Sequence, residues 1–329
     1  MTNTAVVILN YNGANYLQQF LPSVIAYSGD AQIIVADNKS TDNSLELLHH
    51  QFPGVTLIEL DQNYGYAGGY NKALAQIDST YVVLLNSDVE VTENWLSPLI
   101  GYLEVNPSYA ACQPKVKDFN HRDLFEYAGA AGGYLDAFGF PYCRGRIFDT
   151  IEKDTGQYDL PADIFWATGA CMVIKNDLFK EAGGLDPDFF AHMEEIDLCW
   201  RLHSIGYRVK AIPSSEVFHV GGGTLSKLSP RKTELNFRNG LYMLLKNLPW
   251  SGIIRKLPIR IALDWIAAMK FILEGNGKHG VAVWKAHLQV LINLGKTLRK
   301  RQRLSNALDH RVVVLDYYWR KRKKFDKLQ

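Results

Sequence analysis

The feature that most restricts the fold is an alternation. Four short β-branched runs, "AVVILN" (5–10), "AQIIVADN" (31–38), "VTLIEL" (55–60) and "YVVLLNSD" (81–88), are separated by helical patterns. The runs are almost continuously apolar, as strands covered on both faces are. Between them Leu17, Phe20, Leu21 and Val24 recur at i, i+3, i+4 and i+7. Leu45 and Leu48 follow "STDNS", which supplies helix-capping side chains, and Ala67, Tyr70 and Leu74 mark a third helix. This order predicts an α/β fold: an open, mostly parallel sheet with right-handed crossovers and flanking helices. Ligands of such sheets bind beyond the carboxyl ends of the strands. Here those ends read Asn10-Tyr11-Asn12, Asp37-Asn38 and Asn86-Ser87-Asp88. One polar ending is a turn signal; three on one edge point to a polar ligand site.

A chain of 329 residues is long enough for two domains, or for one large domain with an appendage. With 47% hydrophobic and 21% charged residues it is not a disordered chain. The net charge of +2 conceals a division: from Trp250 onward eighteen Lys and Arg face five Asp and Glu, so the tail is strongly basic and the body acidic. Positive charge confined to a tail argues against nucleic acid as a partner. Cys112, Cys143, Cys171 and Cys199 show no metal-ligand spacing and read as reduced, buried thiols of a cytosolic protein. No signal peptide is read at the N-terminus, and no apolar stretch has the length of a bilayer span.

Residues 119–160, rich in glycine and aromatics, read as a long insertion near the site with short strands. "ADIFWATGACMVIKNDLF" restores a strand, and "DLFKEAGGLDP" a short helix closed by Gly183-Gly184. "HMEEIDLCWR" opens a further helix ending near Gly206, and "YRVKAIPSSEVFHVGGG" gives a strand and then a loop carrying His219. In "LPIRIALDWIAAMKFILE" the charged Arg260, Asp264, Lys270 and Glu274 share one narrow stripe, leaving a wide apolar face. Two readings stand for this helix: buried packing, or a place in a membrane interface supported by "LRKRQR" and "WRKRKKFDK".

Seven segments carry a family likeness: "VVILNYNG", "VADNKSTDNS", "NYGYAGGYN", "LLNSDVEV", "ATGACMVIK", "GGLDPDFFAHMEEIDLCWRLHSIGY" and "VFHVGGGT", in that order. Together they resemble bacterial glycosyltransferases of family 2, the inverting enzymes of GT-A fold, and most nearly the rhamnosyltransferase-like members that build surface polysaccharides. The likeness covers about residues 3–245. It implies a GT-A domain over 1–245, with a nucleotide-binding half to about 115 and an acceptor and catalytic half from about 116, followed by an amphipathic basic helical region over 246–329. It further implies transfer of a sugar from a nucleoside-diphosphate donor (dTDP-rhamnose-like, UDP- or GDP-sugar) to a glycan or lipid-linked acceptor, with Mg²⁺ or Mn²⁺. The expected place is the cytoplasmic face of the cell membrane, held peripherally through the basic helices.

The resemblance distributes roles over residues. Asp37 matches the acid that contacts the pyrimidine, with Asn10, Asn12 and Asn38 beside it. Asn63, Gly68 and Asn71 lie in the glycine-rich segment, where backbone at a helix mouth approaches a phosphate. That segment lacks dinucleotide-binding and Walker spacing. "NSD" stands at the metal-binding DxD motif, with Ser87 and Asp88 retained and Asn86 replacing the first acid; one carboxylate with phosphate oxygens and water suffices for Mg²⁺. His219 matches a second metal-side ligand, and imidazole suits Mn²⁺ better than Mg²⁺. In the acid-acid-x-acid slot Glu195 matches the catalytic base, with Glu194 the alternative, and Asp197 pairs with Arg201 four residues on. Trp166, Gly169 and Ala170 border the acceptor. Asp42 reads as a helix-capping acid. Two other functions compete: a fold-retaining binding or assembly protein with weak or no activity, suggested by Asn86, and a nucleotidyltransferase, which wants a basic glycine-rich turn that "NYNGANYLQQ" lacks.

Overall fold

The computed structural model describes residues 3–221, 229–302, 304–305 and 307–328. The expected alternation is present as β1 (Thr4–Asn10), α1 (Ala14–Tyr27), β2 (Gln32–Asp37), α2 (Ser44–Gln51), β3 (Thr56–Glu59), α3 (Gly65–Leu74) and β4 (Tyr81–Asn86). A short β5 (Val89–Val91), α4 (Ser97–Val105) and β6 (Tyr109–Asp118) follow. The insertion holds β7 (Gly133–Leu135), β8 (Pro141–Cys143), β9 (Arg146–Ile147) and β10 (Thr150–Ile151). Then come β11 (Ala162–Ile164), β12 (Cys171–Lys175), α5 (Asn176–Glu181), α6 (Glu194–Ser204) and β13 (Arg208–His219). The remainder is helical: α7 (Pro230–Asn247), α8 (Trp250–Leu273), α9 (Gly277–Ile292), α10 (Leu294–Arg299) and α11 (Val313–Tyr318).

The main sheet runs β11-β13-β6-β12-β4-β1-β2-β3, with β5 on β13. Strands β3, β2, β1 and β4 are parallel, as the apolar runs predict, and β6 is parallel to β13. Between these halves β12 runs antiparallel to both β4 and β6, so the sheet is mixed across its width. Side chains alternate across β1: Val6 and Ile8 join Leu17, Leu21 and Trp95 on one face, while Ala5 and Val7 join Ala67, Tyr70 and Leu74 on the other. Both faces are covered, which explains the unbroken apolar runs. The insertion folds into its own four-stranded antiparallel sheet, β10-β9-β8-β7.

The C-terminal region is tied to the body. Lys246 and Asn247, in the last turn of α7, are buried under α6, where both hydrogen-bond Asp197 (2.8 Å each). Further on, Ser305 accepts from the Trp200 indole N–H (3.0 Å), and Phe325 packs 5.2 Å from the Tyr134 ring on the insertion sheet. Helix α8 is oriented opposite to an ordinary packing helix. Its Arg260 (2% exposed) and Asp264 (0%) face inward, joined Nε to Oδ1 at 2.8 Å. Arg260 also donates to the carbonyls of Phe138 and Gly139, and His287 of α9 lies 3.3 Å from Asp264. The apolar side, with Trp265, Ile266 (64% exposed), Met269 and Leu273 (82%), points outward beside Trp284 and Leu288 of α9. The first half of the charged stripe, Arg260 and Asp264, is therefore buried, Lys270 and Glu274 pair at the surface (3.4 Å), and much of the apolar face is bare. Among the described residues no helix is long and apolar enough to cross a membrane.

Candidate active site

The carboxyl ends of β2, β1 and β4 form one polar rim. Asn10 pairs in register with Asp37, and Leu9 with Asn86. Asn10 donates from Nδ2 to Asp37 (3.0 Å) and Ser40 (3.1 Å), and its buried Oδ1 has no hydrogen-bond partner among the described residues. Asp37 accepts from the backbone N–H and the hydroxyl of Ser40, so it shapes the turn after β2 as well as ending the strand. Asn38 and Asn63 bond each other, and Asn38 braces the backbone of Tyr64 and Gly65. Asn12 accepts from the Thr41 and Asp42 backbone, which holds the β2–α2 loop against β1. Asp42 accepts from the Ala14 N–H at the start of α1 and from Ser44 at the start of α2, serving both helices as a cap.

Two residues expected at the nucleotide also brace the protein itself. Asn71 applies both ends of its amide to the Leu185 backbone, at 2.6 and 2.9 Å. Gly68 lies inside α3, where a side chain would meet Tyr64 at 3.0 Å. At Gly69 a side chain would meet Leu9 at 2.8 Å, so the bare backbone lets α3 seat closely on β1.

Further along the same edge lies a cavity of about 240 Å³. Its lining includes Glu194, Glu195 and His192 together with Asp88, Asn86 and His219. Trp166, Gly169 and Ala170, the residues that the family resemblance assigns to the acceptor, also line it. Trp166 sits in the loop between β11 and β12, its indole N–H donating to the Tyr134 carbonyl (3.0 Å). Gly169 is required by contact: a Cβ there would stand 2.6 Å from the Tyr66 hydroxyl, which donates to the Gly169 carbonyl. Ser87 borders the rim near Gly13. Asp37 is on the rim but does not line this cavity.

The three acids of "HMEEIDLCWR" divide by environment. Asp197 is fully buried yet held below the usual aspartate range; burial opposes its charge, but Lys246 and Arg201 more than offset that. It is structural. Glu194 and Glu195 have no cation on them, and each has a buried carboxylate oxygen with no hydrogen-bond partner among the described residues. Burial pushes Glu195 up to about 7, against backbone N–H groups at the helix start that favour its charge. Glu194 is raised well above the glutamate range by burial and then by Glu195. The pair titrates as a unit, and one ionised carboxylate at neutral pH is what a general base requires.

His219 closes β13, one residue before the loop where the sequence places it, because β13 pairs with β5 through Val89. Its Nε2 lies 3.1 Å from Asp88 Oδ1 and its Nδ1 3.4 Å from Glu126 Oε1. Burial disfavours charge on this imidazole, but Glu126 and then Asp88 raise its pKa to about 10, so it stands as an imidazolium between two carboxylates. Asp88 is held below its usual range, burial being outweighed by His219. A cation entering here would displace the imidazolium proton, after which Asp88 would offer one carboxylate and His219 one ring nitrogen. Among the described residues no group of three or more His, Cys, Asp or Glu is arranged to hold a metal alone. The pair fits a cation whose other ligands are phosphate oxygens and water.

Several lining residues escape the sequence reading. Tyr66 lies within the quoted glycine-rich segment. Glu126, Tyr127 and Arg146 come from the insertion, and Lys232 and Asn236 from α7, where no motif marks them.

The mixed α/β sheet, with its helices and its polar carboxyl edge, has the architecture of GT-A glycosyltransferases. The family model for glycosyl transferase family 2 matches residues 5–183, and the chain belongs to that family and is a glycosyltransferase. Over 314 residues it is 22% identical to the N-acetylglucosaminyl-diphospho-decaprenol L-rhamnosyltransferase of Mycobacterium tuberculosis (strain CDC 1551 / Oshkosh), covering 91% of this chain and 96% of that one. It is 25% identical over 221 residues to the rhamnosyltransferase WbbL of Escherichia coli (strain K12), covering 65% and 82%. In fold it is similar to the mannosyltransferase PcManGT from Pyrobaculum calidifontis, solved with GDP-Man and Mn²⁺ (TM-score 0.54, 14% identity, 90% of this chain and 80% of that one).

Proposed function

We propose that this glycosyltransferase inverts the anomeric centre in one displacement, moving a sugar, rhamnose foremost, from a nucleoside-diphosphate donor to a hydroxyl of a lipid-linked or glycan acceptor. The observation that carries this reading is one cavity lined by Glu194 and Glu195 and also by Asp88 and His219. Glu195 takes the proton from the acceptor hydroxyl as that oxygen bonds the anomeric carbon, and the bond to the diphosphate oxygen breaks on the opposite face. The nucleotide lies along the strand-end rim from Asp37 through Asn10 to Ser87. Asp88 and His219 would hold Mg²⁺ or Mn²⁺, which would offset charge on the departing diphosphate as a Lewis acid. Trp166, Gly169 and Ala170 face the acceptor. The similarity to an enzyme named for a diphospho-decaprenol acceptor favours a lipid-linked one.

A panel of dTDP-, UDP- and GDP-sugars with Mn²⁺ tests the reading. One donor class raises Tm through mass action and releases its nucleoside diphosphate only with the metal present. His219→Ala weakens Mn²⁺ dependence at least tenfold. A shift in Tm without turnover would instead favour an inactive binding protein, and no shift with any donor would sink both.

The same reading places the enzyme peripherally on the inner face of the cell membrane. Support comes from α8 and α9: an apolar surface centred on Trp265, Ile266, Met269 and Trp284, in a region rich in Lys and Arg. The full chain should co-sediment with phosphatidylglycerol-containing vesicles, less so in high salt, and Ile266→Glu with Leu273→Glu should reduce binding at least tenfold. Self-association through this face with no vesicle binding would overturn the placement.

A further inference from the structure

The turn that delivers Glu194 and Glu195 to the cavity has an unusual backbone. Phe190 (φ 65°), His192 (φ 69°) and Met193 (φ 73°) are all left-handed, and none is glycine. Side-chain-bearing residues hold that conformation only where their surroundings over-determine it. The surroundings here come chiefly from one buried side chain on α7. Asn239, 0% exposed, donates from Nδ2 to the carbonyls of Phe189 (3.0 Å), Ala191 (2.9 Å) and His192 (2.7 Å). Its Oδ1 accepts from Arg238 Nε at 2.9 Å, which fixes which end of the amide faces the turn. Arg238 itself donates to the carbonyls of Asp188 and Phe189 and, through Nη1, to Gln289 on α9. The far side of the turn is closed by α3, where the Tyr66 N–H donates to the Phe190 carbonyl (2.9 Å) and Gly65 leaves room for the Phe190 ring.

We propose that Asn239, oriented by Arg238, is a positioning residue: by gripping three carbonyls of the Phe189–His192 turn it sets where Glu194 and Glu195 stand in the cavity. Asn239 does not itself line the cavity; it acts through the turn, whose Ala191 and His192 do. The proposal rests on the reading of the glutamate pair as the base of the transfer. It explains why a turn with three left-handed residues ends at the two acids, and why an asparagine outside the motif segments is wholly buried. Without its donors the turn can relax toward ordinary backbone angles, and the glutamates lose their dry setting.

The test is a titration that needs no substrate. In protein carrying ¹³C-carboxyl glutamate, the Glu195 resonance is the one lost in Glu195→Gln. The titratable groups facing it are Glu194 on α6, Tyr66 on α3, Cys143 on β8 and Cys199 one turn on. In the native protein Glu195 titrates well above an ordinary glutamate; in Asn239→Ala its midpoint falls by at least one pH unit. In the same variant, Mn²⁺-dependent dTDP release from dTDP-rhamnose slows at least tenfold in kcat while dTDP affinity stays within twofold. A purely structural asparagine would lower Tm and leave the midpoint where it is, and that result overturns the proposal. Should Asn239→Ala fail to fold, Gln289→Ala, which frees Arg238 from the α9 side, is read instead: a downward shift supports the proposal and an unmoved midpoint overturns it. Turnover that survives Glu195→Gln would remove the base assignment while leaving the titration result to decide the role of Asn239.

Discussion

Glu195→Gln lowers kcat by about 10²- to 10⁴-fold and leaves nucleotide affinity nearly intact. A positioned base contributes that factor, roughly 3–5 kcal/mol of barrier. The amide keeps the side chain's size but has no basic lone pair for the acceptor proton. Glu194→Gln has a small effect if Glu195 is the base, because Glu194, pushed upward by burial and by Glu195, then serves only as its neighbour. In the wild type kcat rises with pH through about 7, as Glu195 loses its proton. Stability runs the other way. A carboxylic acid whose folded pKa lies above its unfolded value binds more protons when folded, so rising pH through that window removes stability. Glu195→Gln, neutral at every pH, is therefore at least as stable as wild type above pH 7. Rate measurements across pH 5–9 with thermal melts of each variant check all three statements. Near-wild-type turnover in both Gln variants would mean the proton leaves by another route.

The second large effect concerns the fold. Lys246→Met removes a buried ammonium that contacts Asp186 (2.6 Å) and Asp197 (2.8 Å) at once. Its loss leaves two buried carboxylates short of a cation, and breaking such a pair from one side costs about 3–5 kcal/mol. At roughly 2–4 °C per kcal/mol, Tm falls by about 6–20 °C. The sign with pH follows from the depressed acids. Asp186 is lowered to about 2: burial opposes its charge, but Lys246 and Lys300 more than offset it. The stabilisation is present above the unfolded aspartate value and fades as pH falls toward 2, so the two proteins converge in acid. A constant difference from pH 7 to pH 3 would assign the loss to packing instead.

The parallel half of the sheet is legible in the sequence because burial on both faces leaves one mark, an apolar run ended by a polar residue. The same logic marks Asp88 at the end of β4, whereas His219, Glu194 and Glu195 are singled out by the family resemblance of their segments. Other features depend on partners distant in the chain. Strands of two or three residues in the insertion are too short to show a period, so Glu126 and Arg146 carry no signal. Periodicity in α8 locates its charged stripe but does not say which side is covered; the Phe138 and Gly139 carbonyls and His287 decide that. Asn71 and Gly68 sit in a family segment, and only the fold shows that they also meet the Leu185 backbone and Tyr64. A motif fixes residue identity without saying whether a residue meets the ligand or the loop that does.

Helix α7 has a bearing on protein engineering. It contributes Lys232 and Asn236 to the cavity wall, Asn239 to the turn before α6, and Lys246 to the pocket under Asp197. A chimera joined between two relatives at residue 245 would keep the turn with its own Asn239 but set one parent's Asp186 and Asp197 against the other's residues at 246 and 247. Crossovers that exchange the tail alone belong after Leu248. Those meant to change acceptor choice need to carry α6 and α7 together as one inherited block.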